Sequence, residues 1–121
     1  MVAKTVLVVE DDPFIRIVAE EMFLAAGIEV ESVQRADQAL DIVAQRSEQT
    51  AFLFTDVQTP GPIDGIDLAR QVKTHWPHVE VLVTSARPVS NIVLPDGVRF
   101  TAKPWSGKDV LKLARAAVAE Q

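Results

Sequence analysis

The chain has 121 residues, 48% of them hydrophobic, enough for one compact domain with a buried core and too few for two. A formal charge of −5, with no dense Lys/Arg run, argues against a nucleic-acid-binding surface. Cysteine is absent, which excludes disulfides and thiolate metal sites, and no apolar run approaches the length of a membrane span.

The start, Met1-Val2-Ala3-Lys4, carries no secretory signal, so a cytoplasmic protein of one domain, residues 1–121, is expected. Residues 5–9 form a β-branched, apolar run without polar alternation, as in a strand buried on both faces of a parallel sheet. Glu10-Asp11-Asp12-Pro13 follows at once. Pro13 suits the first turn of a helix, and an acidic residue before it can cap that helix. Ile15, Val18, Met22 and Ala25 recur at helical spacing until Gly27 stops them. A weaker second strand with exposed Glu positions covers 28–33. Ala36, Ala39, Leu40 and Val43 mark a second amphipathic helix ending near Gln45.

The third strand, 51–55, is again wholly apolar or β-branched and ends in a carboxylate, Asp56. A turn-rich stretch, Thr59-Pro60-Gly61-Pro62-Ile63-Asp64-Gly65, leads into a third helix with Ile66, Leu68, Ala69 and Val72, which stops before Pro77. Asp64-Gly65 reads simply as a turn feeding that helix. The fourth strand, 79–84, ends in Ser85-Ala86. The fifth, 98–102, ends in Lys103-Pro104, and 109–119 closes the chain as an amphipathic helix. Strand and helix alternate, which implies right-handed crossovers and a parallel sheet covered on both faces. One segment breaks the rhythm: between Ser85 and Phe100, Pro88, Pro95 and Asp96-Gly97 leave room for a loop or a stub helix.

In an open parallel sheet, ligands gather at the carboxyl ends of the strands. Here those ends carry Glu10-Asp11, Asp56, Ser85 and Lys103, so three carboxylates, a hydroxyl and an ammonium converge on one rim. Crowded carboxylates call for a cation, and an oxygen-only set shared with a phosphoryl group favours Mg²⁺. A carboxylate can attack phosphorus to form an acyl phosphate, with its oxygens balanced by Mg²⁺, Lys103 and the Ser85 hydroxyl. Each motif alone has an ordinary explanation: an N-cap, a turn aspartate, a surface Lys-Pro. Their joint occurrence at successive strand ends does not. His75 and His78 lie away from this rim and read as surface residues, and Trp105 as packing against the sheet edge.

Val8-Val9-Glu10-Asp11, Asp56 after its apolar strand, Asp64-Gly65, Thr84-Ser85-Ala86 and Lys103-Pro104-Trp105 together resemble the receiver domain of two-component response regulators, over essentially the whole chain. The resemblance implies a flavodoxin-like, doubly wound α/β fold with five parallel strands in the order 2-1-3-4-5. It also implies a phospho-accepting signalling switch rather than an enzyme. Asp56 is then the phospho-acceptor. Asp11 and Asp56 become Mg²⁺ ligands with the backbone carbonyl of Gln58, and Glu10 acts through water. Anchoring instead on the Asp-Asp dipeptide would pair Asp11 with Asp12. Ser85 takes the switch-hydroxyl position, with Thr84 the alternative; Lys103 pairs with the phosphoryl group, and its bond to Pro104 is cis. Phe100 occupies the switch-aromatic position, and Gln58 and Arg87 sit where similar domains tune hydrolysis.

The implied partners are a sensor histidine kinase or histidine phosphotransfer protein and a downstream protein reached by contact or phosphorelay, with neither nucleic acid nor membrane bound. Two departures stand out. The loop from Asp56 to Gly65 is one residue longer than usual. The family's fourth helix is shortened or replaced across 87–96, a segment expected to order on phosphorylation. Two rivals are weaker. A carboxylate-nucleophile phosphatase needs an Asp where Gln58 stands, and a scaffold with a vestigial pocket does not need the intact acidic set.

Overall fold

The computed structural model describes residues 4–87 and 93–120. Among them, strands β1 (Thr5–Val9), β2 (Glu29–Val33), β3 (Thr50–Asp56), β4 (Glu80–Ser85) and β5 (Val98–Ala102) form one parallel sheet in the order β2-β1-β3-β4-β5. Helices α1 (Pro13–Ala25), α2 (Ala36–Arg46), α3 (Gly65–His75) and α4 (Gly107–Glu120) cover its faces.

The uninterrupted apolar runs have a simple cause: both faces of the sheet are covered, so alternate residues enter two different cores. Leu7, Val9, Leu53, Val81 and Val83 pack with Ala39, Val43, Leu68 and Val72 of α2 and α3. Val6, Val8, Phe52, Phe54 and Leu82 pack with Ala19 and Phe23 of α1 and Val110, Ala114 and Ala117 of α4. β3, at the centre, is buried along its whole length.

Helix ends follow local chemistry. Asp12 caps α1, its Oδ1 accepting from the N–H groups of Phe14 (2.9 Å) and Ile15 (3.2 Å) ahead of Pro13 in the first turn. At the other end Gly27 adopts φ +76°, while Ile28 N–H donates to Phe23 C=O and Gly27 N–H to Leu24 C=O, the paired bonds of a Schellman stop. Asp64 caps α3 in a reciprocal box with Asp67. α4 begins two residues earlier than its apolar periodicity indicates, because Ser106 Oγ accepts from Asp109 N–H and starts the turn there.

Between β4 and β5 the described residues, 86–87 and 93–97, contain no helix. The expected stub, and its ordering on phosphorylation, fall largely on 88–92, outside the described residues. No described helix is long and apolar enough to cross a membrane.

Candidate functional site

The sheet delivers its chemistry to one rim because β1, β3, β4 and β5 run parallel and end together. Glu10 follows β1 and is fixed on several sides. Its N–H donates to Val33 C=O, its C=O accepts from Arg16 Nη1, and its Oε2 accepts from Asp12 N–H. Asp56 is the last residue of β3; its Oδ1 accepts from Gln58 N–H at 3.2 Å. Lys103 follows β5, its own N–H held by Ser85 C=O at 2.9 Å, and the Lys103–Pro104 peptide bond is cis.

From there Lys103 Nζ donates to Glu10 Oε1 at 2.7 Å and to Asp56 Oδ2 at 2.9 Å. One ammonium thus bridges two carboxylates, all three groups being largely buried. Asp11, exposed on the outer side, completes a cluster in which one oxygen each from Glu10, Asp11 and Asp56 lies within 4.8 Å of the others.

Burial is the largest influence on Glu10 and, with the Asp56 charge, pushes its carboxyl above the usual range despite the bonds from Lys103 and Asp12 N–H. Burial on its own would lower the Lys103 ammonium. Its bonds to Glu10 and Asp56 outweigh that, and the net shift is upward, so the charged form is held. Three carboxylates and one ammonium leave two negative charges over a hard-oxygen donor set. That fits a small divalent cation such as Mg²⁺.

Asp12, the alternative third acid, stands apart with its Oδ1 committed to the α1 cap. Asp12→Ala is therefore expected to lower stability by about 1 kcal/mol in chemical denaturation, with divalent-metal affinity left at the wild-type value. A large loss of affinity would return Asp12 to the metal site.

Ser85 is buried at the end of β4, and its Oγ accepts from Arg87 N–H at 3.1 Å. Thr84 pairs in register with Asp56 and is equally buried. With the Gln58 amide oxygen turned toward Arg87, it accepts from both Nε and Nη1 at 3.2 Å, so these two residues join. Phe100 lies half-buried against the α2/α3 core, opposite Val83. Trp105 packs not on the sheet edge but edge-on against Phe54 of central β3, ring centroids 5.2 Å apart at 76°. Away from the rim, His75 packs edge-on against Trp76, and His78 Nε2 meets Ser47 C=O at 2.7 Å.

Gly65 has a role that reading it as a turn overlooks. A Cβ there would sit 2.0 Å from the carbonyl oxygen of Asp56 and 3.0 Å from Val57 Cα, so α3 starts in direct contact with the backbone of Asp56. Gly65 N–H donates to Val57 C=O at 2.8 Å across that contact. An apolar groove of about 410 Å³ opens beside Lys103, lined by Phe14, Ile15, Val18, Ala86, Pro104 and Trp105. Phe14 is 74% exposed on its rim.

Residues 6–115 match the family model of the response regulator receiver domain. The chain is 36% identical over 84 residues to the response regulator protein FleR of Pseudomonas aeruginosa, covering 69% of this chain and 17% of FleR. It is 35% identical over 83 residues to the sensor protein TorS of Escherichia coli, covering 69% of this chain and 9% of TorS. It therefore spans less than a fifth of either protein. Sporulation initiation phosphotransferase F of Bacillus subtilis is 30% identical over 86 residues, covering 71% of this chain and 67% of that protein. Among solved structures, the receiver domain of the hybrid histidine kinase CckA superposes with a TM-score of 0.77 at 27% identity, covering 94% of this chain and 98% of that one. A receiver domain from Clostridium thermocellum gives 0.85 at 20% identity, covering 97% and 95%, a likeness of fold. Receiver domains are phospho-accepting switches that bind Mg²⁺ through acidic residues and interact with histidine kinases or phosphotransfer proteins. The strand order, the acidic rim and the match over 6–115 lead to one conclusion: this chain belongs to the response regulator receiver domain family.

Proposed function

We propose that Asp56 accepts a phosphoryl group from the phosphohistidine of a sensor histidine kinase or histidine phosphotransfer protein, and that residues 1–121 act as one receiver domain. The observation that carries this reading is the Lys103 ammonium bridging Asp56 and Glu10 with Asp11 alongside. An Asp56 oxygen attacks phosphorus, forming a P–O bond. The P–N bond breaks and its electron pair stays on the imidazole. Lys103 is placed to keep a charge-assisted bond to the phosphoryl oxygens. The Ser85 hydroxyl and the N–H groups after Asp56 are the further donors.

Glu10, Asp11, Asp56 and the Gln58 carbonyl are the residues that would hold Mg²⁺, with Glu10 acting through water. When bound, the ion supplies neutralising charge for the phosphoryl oxygens. The state of Asp56 is read out through Ser85 and Phe100, and leaves the protein by contact with a downstream partner or by phosphorelay. The similarity to a protein named as a phosphotransferase favours the relay. The apolar groove shares Lys103 with the acidic rim, so the histidine-bearing partner is placed against Phe14 and Val18. The cytoplasm is the proposed compartment, since phosphohistidine is made there from ATP.

Incubation with acetyl phosphate and Mg²⁺, followed by intact-mass spectrometry, is expected to show the gain of one phosphoryl group. That group should map to the peptide containing Asp56, and EDTA should abolish the gain. No gain, or a gain mapped to another residue, would overturn the assignment.

A further inference from the structure

Thr84 pairs in register with Asp56, one strand over. It is 3% exposed, and among the described residues its Oγ1 is the buried side-chain polar atom that lacks a hydrogen-bond partner. An unpaired buried hydroxyl is costly, and native proteins rarely leave one. Its surroundings offer a remedy. A cavity of about 10 Å³ adjoins Asp56; the residues that line it include Glu10, Asp56 and Thr84 beside the apolar Ile15, Phe54 and Trp105. That is room for about one water, which needs two to four polar partners.

The donor and acceptor types match one water closely. Ionised carboxylates only accept, whereas the Thr84 hydroxyl has a proton to donate. A single water there would accept from Thr84 and have two protons to donate to the carboxylates of Asp56 and Glu10. We propose that this cavity is a buried water site, and that through it Thr84 is a positioning residue for the chemistry of Asp56.

The kinetic part of the proposal rests on Asp56 being the phospho-acceptor. In hydrolysis a second, external water attacks phosphorus and the P–O bond to Asp56 breaks. The electron pair returns to the carboxylate, and both protons of the attacking water end on inorganic phosphate. A hydrogen bond from that water stabilises the carboxylate as its charge returns, so the site shortens the life of the acyl phosphate. Thr84→Val keeps the shape and removes the donor; Thr84→Ser keeps the donor.

The test uses the full chain, phosphorylated with acetyl phosphate and Mg²⁺, desalted, and followed by intact mass as the phosphoryl group is lost. Thr84→Val should lengthen the half-life roughly three- to ten-fold, the effect of one hydrogen bond, and Thr84→Ser should restore the wild-type value. High-resolution crystal structures of the unphosphorylated wild type and Thr84→Val supply the second readout. An ordered water should bind Thr84 and a carboxylate in the first and be missing from the second. A dry wild-type cavity, a wild-type half-life in Thr84→Val, or equal lengthening in both variants would overturn the proposal. Should the wild type take up no phosphoryl group, the reading of Asp56 fails, while the crystallographic comparison still decides the water site.

Discussion

Replacing Lys103 with Met is expected to slow phosphorylation of Asp56 about 100-fold or more, the usual cost of removing one preorganised charge-stabilising donor. The side chain lies 2.9 Å from Asp56 Oδ2 and 2.7 Å from Glu10 Oε1, so the loss falls on the proposed acceptor and on its neighbour together. Stability should fall as well. Removing one partner of a buried ion pair costs roughly 3–5 kcal/mol. One feature reduces that here: the Lys103 side chain is 15% exposed, so solvent reaches the pair and screens part of the charge left behind. A loss of about 2 kcal/mol in the absence of divalent metal follows from the discounted figure. The variant presents three uncompensated carboxylates where the wild type presents two net charges. Mg²⁺ should therefore raise its melting temperature more than it raises that of the wild type. Quenched-flow phosphorylation by acetyl phosphate and thermal melts with and without MgCl₂ read both effects. Equal rates in the two proteins would remove Lys103 from the chemistry.

Gly65→Ala should be nearly as damaging, by a different route. The added methyl would meet Asp56 O at 2.0 Å, Asp56 C at 2.8 Å and Val57 Cα at 3.0 Å, all backbone atoms at the end of the fully buried central strand and just after it. No flexible side chain is available to yield. Either α3 retreats, breaking the Gly65 N–H bond to Val57 C=O, or the end of β3 shifts and carries the Asp56 carboxylate away from Lys103. Overpacking of this kind typically costs about 1–3 kcal/mol, and a contact with immovable backbone belongs at the upper end. Phosphorylation should fall along with stability, whereas Gly97→Ala, far from the rim, should leave the rate untouched. The left-handed φ of +81° at Gly97 makes that variant a control for strain alone. Denaturation curves and acetyl phosphate kinetics on both variants separate the two causes. A Gly65→Ala protein with wild-type stability would mean that the close approach is not maintained in solution.

Much of this was legible in the chain itself. Strands buried on both faces leave runs such as Val6-Leu7-Val8-Val9 that a covered parallel sheet accommodates, and the runs of β1 and β3 lead to Glu10 and Asp56. The rim positions of Asp56 and Lys103 follow from that alone. The choice between Glu10 and Asp12 as the companion of Asp11 was harder, since a cap and a metal ligand make the same demand on sequence: a carboxylate at a strand-to-helix joint. The bonds from Phe14 and Ile15 N–H assign Asp12 to the cap. Gly65 was read as a turn because its reason lies nine residues away in sequence and in direct contact in space. The double engagement of Lys103 and the unpaired Thr84 hydroxyl likewise depend on side-chain direction, which spacing does not specify. The early start of α4 did carry a signal, a serine at 106 with an acidic residue three positions on.

The bond between Lys103 and Glu10 joins residues 93 positions apart, and it reaches the interior of the sheet from the strand at the end of the sheet order. β1 and β3 are flanked by neighbours on both sides, whereas among the described residues β5 hydrogen-bonds to β4 alone. An edge strand can detach by local opening at a fraction of the free energy of global unfolding. The counter-charge for Asp56 can thus be withdrawn while the strand bearing Asp56 stays in place. A partner that grips the exposed margin of β5 would thereby regulate the electrostatics of the pocket from outside, without touching an acidic residue.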